Sequence, residues 1–223
     1  MKIVKPLANI LWEPSGGCPE EQGREMLRKI EWCGRISHRT EDAQTNDSYL
    51  RFIKAVVLEH GDWSIVEHTS VSVDFLVDRG ITHELVRHRL FSFTQESTRF
   101  VNYEKKMPAS FICPFVEENT EEMHAWQDAI AQSEACYLDQ IRAKVPPQIA
   151  RSVFPNALAS RIIVTGNLRI WRHFLIMRTT KESHPQMREV TIPLLAEFKE
   201  KIPLLFDDIE PNQKQSLAIQ KAR

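Results

Sequence analysis

Between His68 and Gly80 the chain changes its period: Val71, Val73, Phe75 and Val77 alternate with Ser70, Ser72, Asp74 and Asp78. A period of two sends successive side chains to opposite faces, so this stretch predicts a strand with one apolar face to bury. That face has to be covered, which ties the fold to a sheet packed against other elements. ASRIIVTGN, 159 to 167, has the β-branched centre of a second, buried strand. Around these two the spacing is helical. Met26, Leu27, Ile30, Cys33 and Ile36 predict a helix over Glu20 to Ser37, and Phe52, Ile53, Val56 and Val57 another over Tyr49 to Leu58, closed by Gly61. Glu121 to Val145 carries Met123, Trp126, Ile130, Tyr137 and Ile141 on one stripe and is stopped by Pro146 and Pro147. LRIWRHFLIMR follows Gly166 as a helix, and a last one runs from about Pro185 to Lys201. Gly80 is expected to end the first strand and Thr82 to cap a short helix, THELVRH, which delivers Arg87 and His88 at its end. This order predicts an α/β (α+β) fold with a small central sheet flanked by helices. A single domain over residues 1 to 223 is expected, with a polar tail from about 207.

With 29 basic against 30 acidic residues the net charge is -1, which argues against a polybasic membrane or nucleic-acid binder. Pro6, Asn9, Trp12 and Glu13 interrupt the first apolar run, and no stretch approaches the ~18 apolar residues of a membrane span. A soluble, cytoplasmic protein without a membrane partner is expected. Cys18, Cys33, Cys113 and Cys136 lack any C-x-x-C pairing, so they read as reduced thiols rather than a zinc cage. HELVRH places His83 and His88 five apart, about 140° around a helix, unlike the four-residue spacing of a zinc-protease pair. No metal is expected.

The chemistry concentrates in RHRLFSFTQESTRF, 87 to 100. Three basic positions open it, and Ser92, Thr94, Gln95, Ser97 and Arg99 continue it without a proline or glycine break. Arginine offers a planar fork of donors matched to phosphate or carboxylate, so the segment suits anions. A solvated helix terminus is the better reading of a bare RHR, but it leaves the dense hydroxyl and amide series after it without a purpose. A second reading is a nucleotide or single-stranded nucleic-acid binding module, with Arg87, Arg89 and Arg99 on phosphates and Phe91, Phe93 and Phe100 stacking on bases. The neutral overall charge disfavours it.

Arg87-His88-Arg89, seven residues, then Ser97 resembles the RHR-x7-S signature of the flavin-dependent thymidylate synthase family, and Thr98-Arg99 continues it. HGDWSIVEH, 60 to 68, and ARSVFPNALASRIIVTGNLRIWRHFLIMR, 150 to 178, are similar to further blocks of that family, in the same order, over roughly residues 24 to 200. The resemblance implies reductive methylation of dUMP to dTMP, with methylenetetrahydrofolate as carbon donor, NADPH as reductant and bound FAD as hydride carrier. It implies FAD contacts from Ser64, Arg87, His88, Arg89, Gln95, Asn167, Arg169 and His173. For dUMP it implies Glu84, Arg87, Gln95, Glu96, Ser97, Thr98, Arg99, Arg151 and Arg178, with Arg178 catalytic through its fixed positive charge beside the pyrimidine. It also implies a homotetramer whose subunits share the sites.

On the residues alone, other uses stay open. Ser64 suits a turn, Asn167 a helix cap, Arg151 and Arg178 ion pairs at helix ends, and Arg169, Arg172 and His173 a solvated helix face. Ser97 reads as a substrate ligand rather than a nucleophile, since no activating base is evident. The absence of a nearby cysteine fits a route without thiolate attack on the uracil. The sequence departs from the family at Asp62 (often His), Thr94 (Asn or Ser) and Phe100 (often Tyr). TTKESH after Arg178 is longer than usual, with His184 opposite the family's histidine.

Overall fold

The alternation at 70 to 78 forms strand β3 (Ser70–Asp78), and the β-branched run forms β6 (Ala159–Asn167). They are neighbours in the middle of a four-stranded sheet ordered β2-β3-β6-β4, whose edges are β2 (Leu7–Ile10) and β4 (Ser92–Gln95). Val73, Phe75, Val77 and Ile162 are fully buried, as residues on the covered face of a sheet should be. A separate parallel pair joins β1 (Lys2–Val4) to β5 (Ser110–Ile112), with Lys2 opposite Ser110. The short strands escape sequence reading because three or four residues hold too few alternations. Segment 92 to 95 is one such strand, which its polar residues do not announce. The computed structural model describes residues 1–105, 107–115 and 119–212.

Seven α-helices are present among these residues: α1 (Pro19–Ile36), α2 (Ser48–Phe52), α3 (Arg79–Leu85), α4 (Glu121–Arg142), α5 (Pro147–Ala150), α6 (Leu168–Arg178) and α7 (Pro185–Lys201). The predicted helix over 49 to 58 is α2 continued by a π-helical stretch, Ile53–Glu59. Pro146 and Pro147 lie beyond the end of α4, and Pro147 opens α5, where a missing N–H costs nothing. The cap of α3 is corrected. Asp78 accepts the Ile81 N–H at 2.7 Å, so the helix begins at Arg79. Thr82 is a buried residue inside the helix, its hydroxyl donating to the Arg79 carbonyl at 2.9 Å. Asp caps as well as Thr does, and Asp78 is the last residue of β3, where strand pairing stops.

The chain gathers into two compact units. The first comprises Met1–Leu7, Asp74–Arg87 and Phe93–Ile163. Its core packs Phe111, Ile130, Tyr137 and Leu158, with Tyr137 stacked on Phe154 at 4.4 Å. The second comprises Ala8–Val73, His88–Ser92 and Val164–Arg223. There α1 and α6 both pack on α7, around Leu27, Trp171, Phe198 and Phe206. A Cβ on Gly23 of α1 would stand 1.7 Å from the Lys201 carbonyl oxygen, so only glycine allows that close approach. Packing continues past residue 207: Ile209 is fully buried and the Asn212 N–H donates to the Thr179 carbonyl at 2.7 Å. The remainder of the expected polar tail, 213 to 223, lies outside the described residues. No helix among the described residues is long and apolar enough to cross a membrane.

Candidate active site

In the first unit, the residues assigned to the nucleotide are anchored one after another. The Gln95 side-chain amide donates to Thr82 Oγ1 at 3.0 Å and to Ser160 Oγ at 3.1 Å. Glu96 accepts the Tyr103 hydroxyl at 2.6 Å, while its own N–H donates to the Arg161 carbonyl at 2.8 Å. Thr98 is buried and accepts from Arg151 Nη1 at 2.7 Å, so Arg151 is held within the site rather than paired with an acid at a helix end. Ser97 lies between these anchors and accepts the Arg99 N–H at 3.3 Å. Arg99 is exposed, its guanidinium 5.4 Å from the centre of the exposed Phe100 ring. Glu84 is half-buried on α3, and Arg87 is exposed just past its end.

A cavity of about 420 Å³ opens beside these residues, lined among others by Arg79, His83, Thr98, Arg151 and Phe154. Arg79 Nη1 is buried and has no hydrogen-bond partner among the described residues, so the cavity wall holds a donor in excess of what they use. Such a donor set fits an anionic group. Sequence reasoning assigns Arg79 and His83 to no ligand. Their only sequence signal is their place on α3 upstream of the RHR stretch.

In the second unit, α6 begins with Asn167, which caps the helix by accepting the Ile170 N–H at 2.9 Å. Ser64 is exposed on a 3-10 helix, Trp63–His68, which packs on α6 and is tied to it by an ion pair of Glu67 with Arg169 at 2.6 Å. Arg172 departs from the solvated helix face expected of it. It is buried, pairs with Asp208 and the Leu205 carbonyl, and places its guanidinium 4.7 Å from the Trp63 ring centre. His60 pairs with Asp62 at 3.3 Å, both exposed. His184 caps α7, its Nδ1 accepting the Gln186 N–H at 3.2 Å.

His88 corrects the view of RHR as three positive charges. Its ring lies edge-on to Phe174 at 4.9 Å, and its Nε2 accepts a hydrogen bond from Arg178 Nε at 2.9 Å. Burial, then the electrostatic influence of Arg178 and of His173, pulls its pKa down to about 4. The imidazole is neutral at working pH, with its proton on Nδ1. Arg87 and Arg89 on either side are exposed, and no ion pair engages them among the described residues. Phe91 faces inward, 4.6 Å from Trp171, so it is not available for base stacking. Gly166 makes room for it: a Cβ there would stand 2.3 Å from the Phe91 ring.

The α/β fold thus presents two guanidiniums, unpaired among the described residues, on either side of a neutral histidine, and an anchored run of hydroxyl and amide groups. Residues 21–204 match the family model of the thymidylate synthase complementing protein. The chain is 35% identical over 202 residues to the flavin-dependent thymidylate synthase of Corynebacterium diphtheriae, covering 81% of this chain and 78% of that one. It is 34% identical to the protein of that name from Mycobacterium tuberculosis, over the same shares of the two chains. In structure it is similar to the UMP/dUMP methylase PolB of Streptomyces cacaoi, crystallised with 5-Br dUMP, at a TM-score of 0.73, covering 93% of this chain and 96% of that one at 19% identity. The chain belongs to the flavin-dependent thymidylate synthase family.

Proposed function

We propose that this chain is a thymidylate synthase that reductively methylates dUMP to dTMP, with methylenetetrahydrofolate as carbon donor, NADPH as reductant and FAD as hydride carrier. Family membership supports the reaction, and the names of the relatives support the flavin. The observation that carries the reading is the pair of exposed arginines, Arg87 and Arg89, in no ion pair among the described residues and flanking neutral His88. That donor set fits a diphosphate-bearing cofactor.

FAD would be held by Ser64, Arg87, His88, Arg89, Gln95, Asn167, Arg169 and His173, and when bound it supplies a hydride acceptor and donor. Asn167 would contribute while capping α6, and Arg169 while paired with Glu67. For dUMP the ligands are Glu84, Arg87, Gln95, Glu96, Ser97, Thr98, Arg99, Arg151 and Arg178. Gln95 spends its amide N–H groups on Thr82 and Ser160, so its carbonyl oxygen is the atom left to accept from a nucleotide donor. Arg178, its Nε edge fixed by His88, keeps a positive charge where negative charge develops on the pyrimidine as C5 becomes nucleophilic. Cys33 and Cys113 are partly buried, and Cys18 and Cys136 lie on the surface outside the candidate segments; the route uses no cysteine nucleophile. The proposal extends to a cytoplasmic homotetramer with shared active sites and no nucleic-acid or membrane partner, which sedimentation analysis with and without FAD would test.

The purified protein should show a flavin absorption spectrum and release tritium from C5-labelled dUMP when given NADPH and methylenetetrahydrofolate. A colourless protein that cannot be reconstituted with FAD overturns the reading.

A further inference from the structure

Tyr103 lies outside the signature, four residues past Arg99, yet reaches back into it. Its hydroxyl donates to the Glu96 carboxylate at 2.6 Å, the shortest of the contacts that anchor residues 95 to 98. We propose that Tyr103 is a positioning residue for the nucleotide segment: its phenol fixes Glu96, and with it the backbone that presents Ser97 and Arg99. The inference rests on the functional reading of that segment given above.

The phenol is itself immobilised. Tyr103 is 7% exposed, and its ring meets Tyr137 at 5.9 Å and Phe154 at 5.6 Å, both edge-on. Its N–H donates to the Tyr137 hydroxyl at 3.3 Å, which fixes the backbone as well as the ring. Burial and the neighbouring Glu96 push the phenol well above its usual range, so it stays a proton donor at every working pH. A half-buried carboxylate without a donor would swing toward water and carry the strand end with it. Here the carboxylate is tied to the aromatic core, the Glu96 N–H to Arg161, and the Thr98 hydroxyl to Arg151. Ser97 is thereby held between two fixed neighbours. Holding ligands in their bound arrangement before binding lowers the entropy lost on association, so the benefit should appear in nucleotide affinity.

Tyr103→Phe removes the hydroxyl and keeps the ring. In the FAD-loaded protein, calorimetric titration with dUMP should show a dissociation constant raised about tenfold, the scale of a lost hydrogen bond to a charged group. Flavin content should be unchanged, and KM for dUMP should rise far more than kcat falls. Hydrogen exchange of the ligand-free protein should accelerate about tenfold at the amides of Glu96 to Arg99 and not in α4. Glu96→Gln, which still accepts from Tyr103, should keep the parent's slow exchange at 96 to 99 in the ligand-free protein. Glu96→Ala, which also removes a group assigned to dUMP, should lose at least as much affinity as Tyr103→Phe, speed exchange at 96 to 99 to the same degree, and gain little from adding Tyr103→Phe. A Tyr103→Phe protein that binds dUMP as the parent does, with unaltered exchange at 96 to 99, overturns the inference. A parent protein that binds no dUMP overturns the functional reading instead, and the exchange comparison still decides the role of Tyr103.

Discussion

Arg178 Nε donates a hydrogen bond to His88 Nε2 at 2.9 Å, joining the last residue of α6 to the middle of the RHR stretch. The contact requires an unprotonated Nε2, and the environment enforces it: burial first, then the electrostatic influence of Arg178 and of His173, brings the pKa from 6.5 to about 4. Between those values the unfolded chain binds a proton at His88 that the folded chain refuses. Stability should therefore fall as pH drops through that window, and the group should make no difference above it. Allowing for the part of the ring that stays wet, the loss is on the order of 1–2 kcal/mol. Urea unfolding at pH 7.5 and 4.5 should show the parent losing about that much more than His88→Gln. A His88 imidazole resonance that titrates above pH 6 in the folded protein rules the account out.

The same contact separates the two roles of Arg178. Arg178→Ala should keep its flavin, because none of the proposed FAD ligands is itself substituted, and lose about 100- to 1000-fold in kcat as the charge proposed to lie beside the pyrimidine disappears. Arg178→Lys should be nearly as poor, since an ammonium lacks both the Nε bond to His88 and the planar fork. In either protein the tritium-release assay is the readout. In Arg178→Ala the His88 midpoint should also rise, one positive neighbour having gone. Unchanged turnover would refute a catalytic role.

The two central strands and the four longer helices are legible in the sequence because each repeats its period several times: Val71 to Val77 for β3, and Ile130, Tyr137 and Ile141 for α4. What is not legible depends on distant partners. Nothing local distinguishes Arg172, which is buried against Asp208, from Arg169, which lies on the surface three residues earlier. The charge of His88 is equally invisible, since its neighbours in sequence are arginines and its determining neighbours are Phe174 and Arg178. The candidate site is legible as a motif, and the anchors of that motif at Ser160, Tyr103 and Arg151 are not.

Gly166 and Phe91 give a test of how tightly the RHR stretch is seated. Gly166→Ala places a methyl 2.3 Å from a ring that is itself packed on Trp171 and Phe174. The ring cannot yield without moving the backbone two residues beyond Arg89. Overpacking of this kind costs about 1–3 kcal/mol, and for a chain of this size Tm should drop by roughly 2–4 °C per kcal/mol. Flavin content should fall with it. Adding Phe91→Leu should recover more than half of the Tm loss, and if it recovers none the clash is not the cause.

Arg172 and Asp208 show why the chain past 207 belongs to the fold. The Arg172 side chain is 4% exposed and donates from its two terminal nitrogens to the Asp208 carboxylate and the Leu205 carbonyl, while Asp208 is half-exposed. Removing the acid strands a buried charge, whereas removing the base leaves a carboxylate that water can reach. Asp208→Ala should therefore cost more than Arg172→Met, about 2 kcal/mol against 1 or less, the methionine retaining its packing on Trp63. Paired urea denaturation curves measure the difference. The reverse order would mean that the cation–π contact with Trp63, rather than the ion pair, holds the segment 205 to 208 against α6.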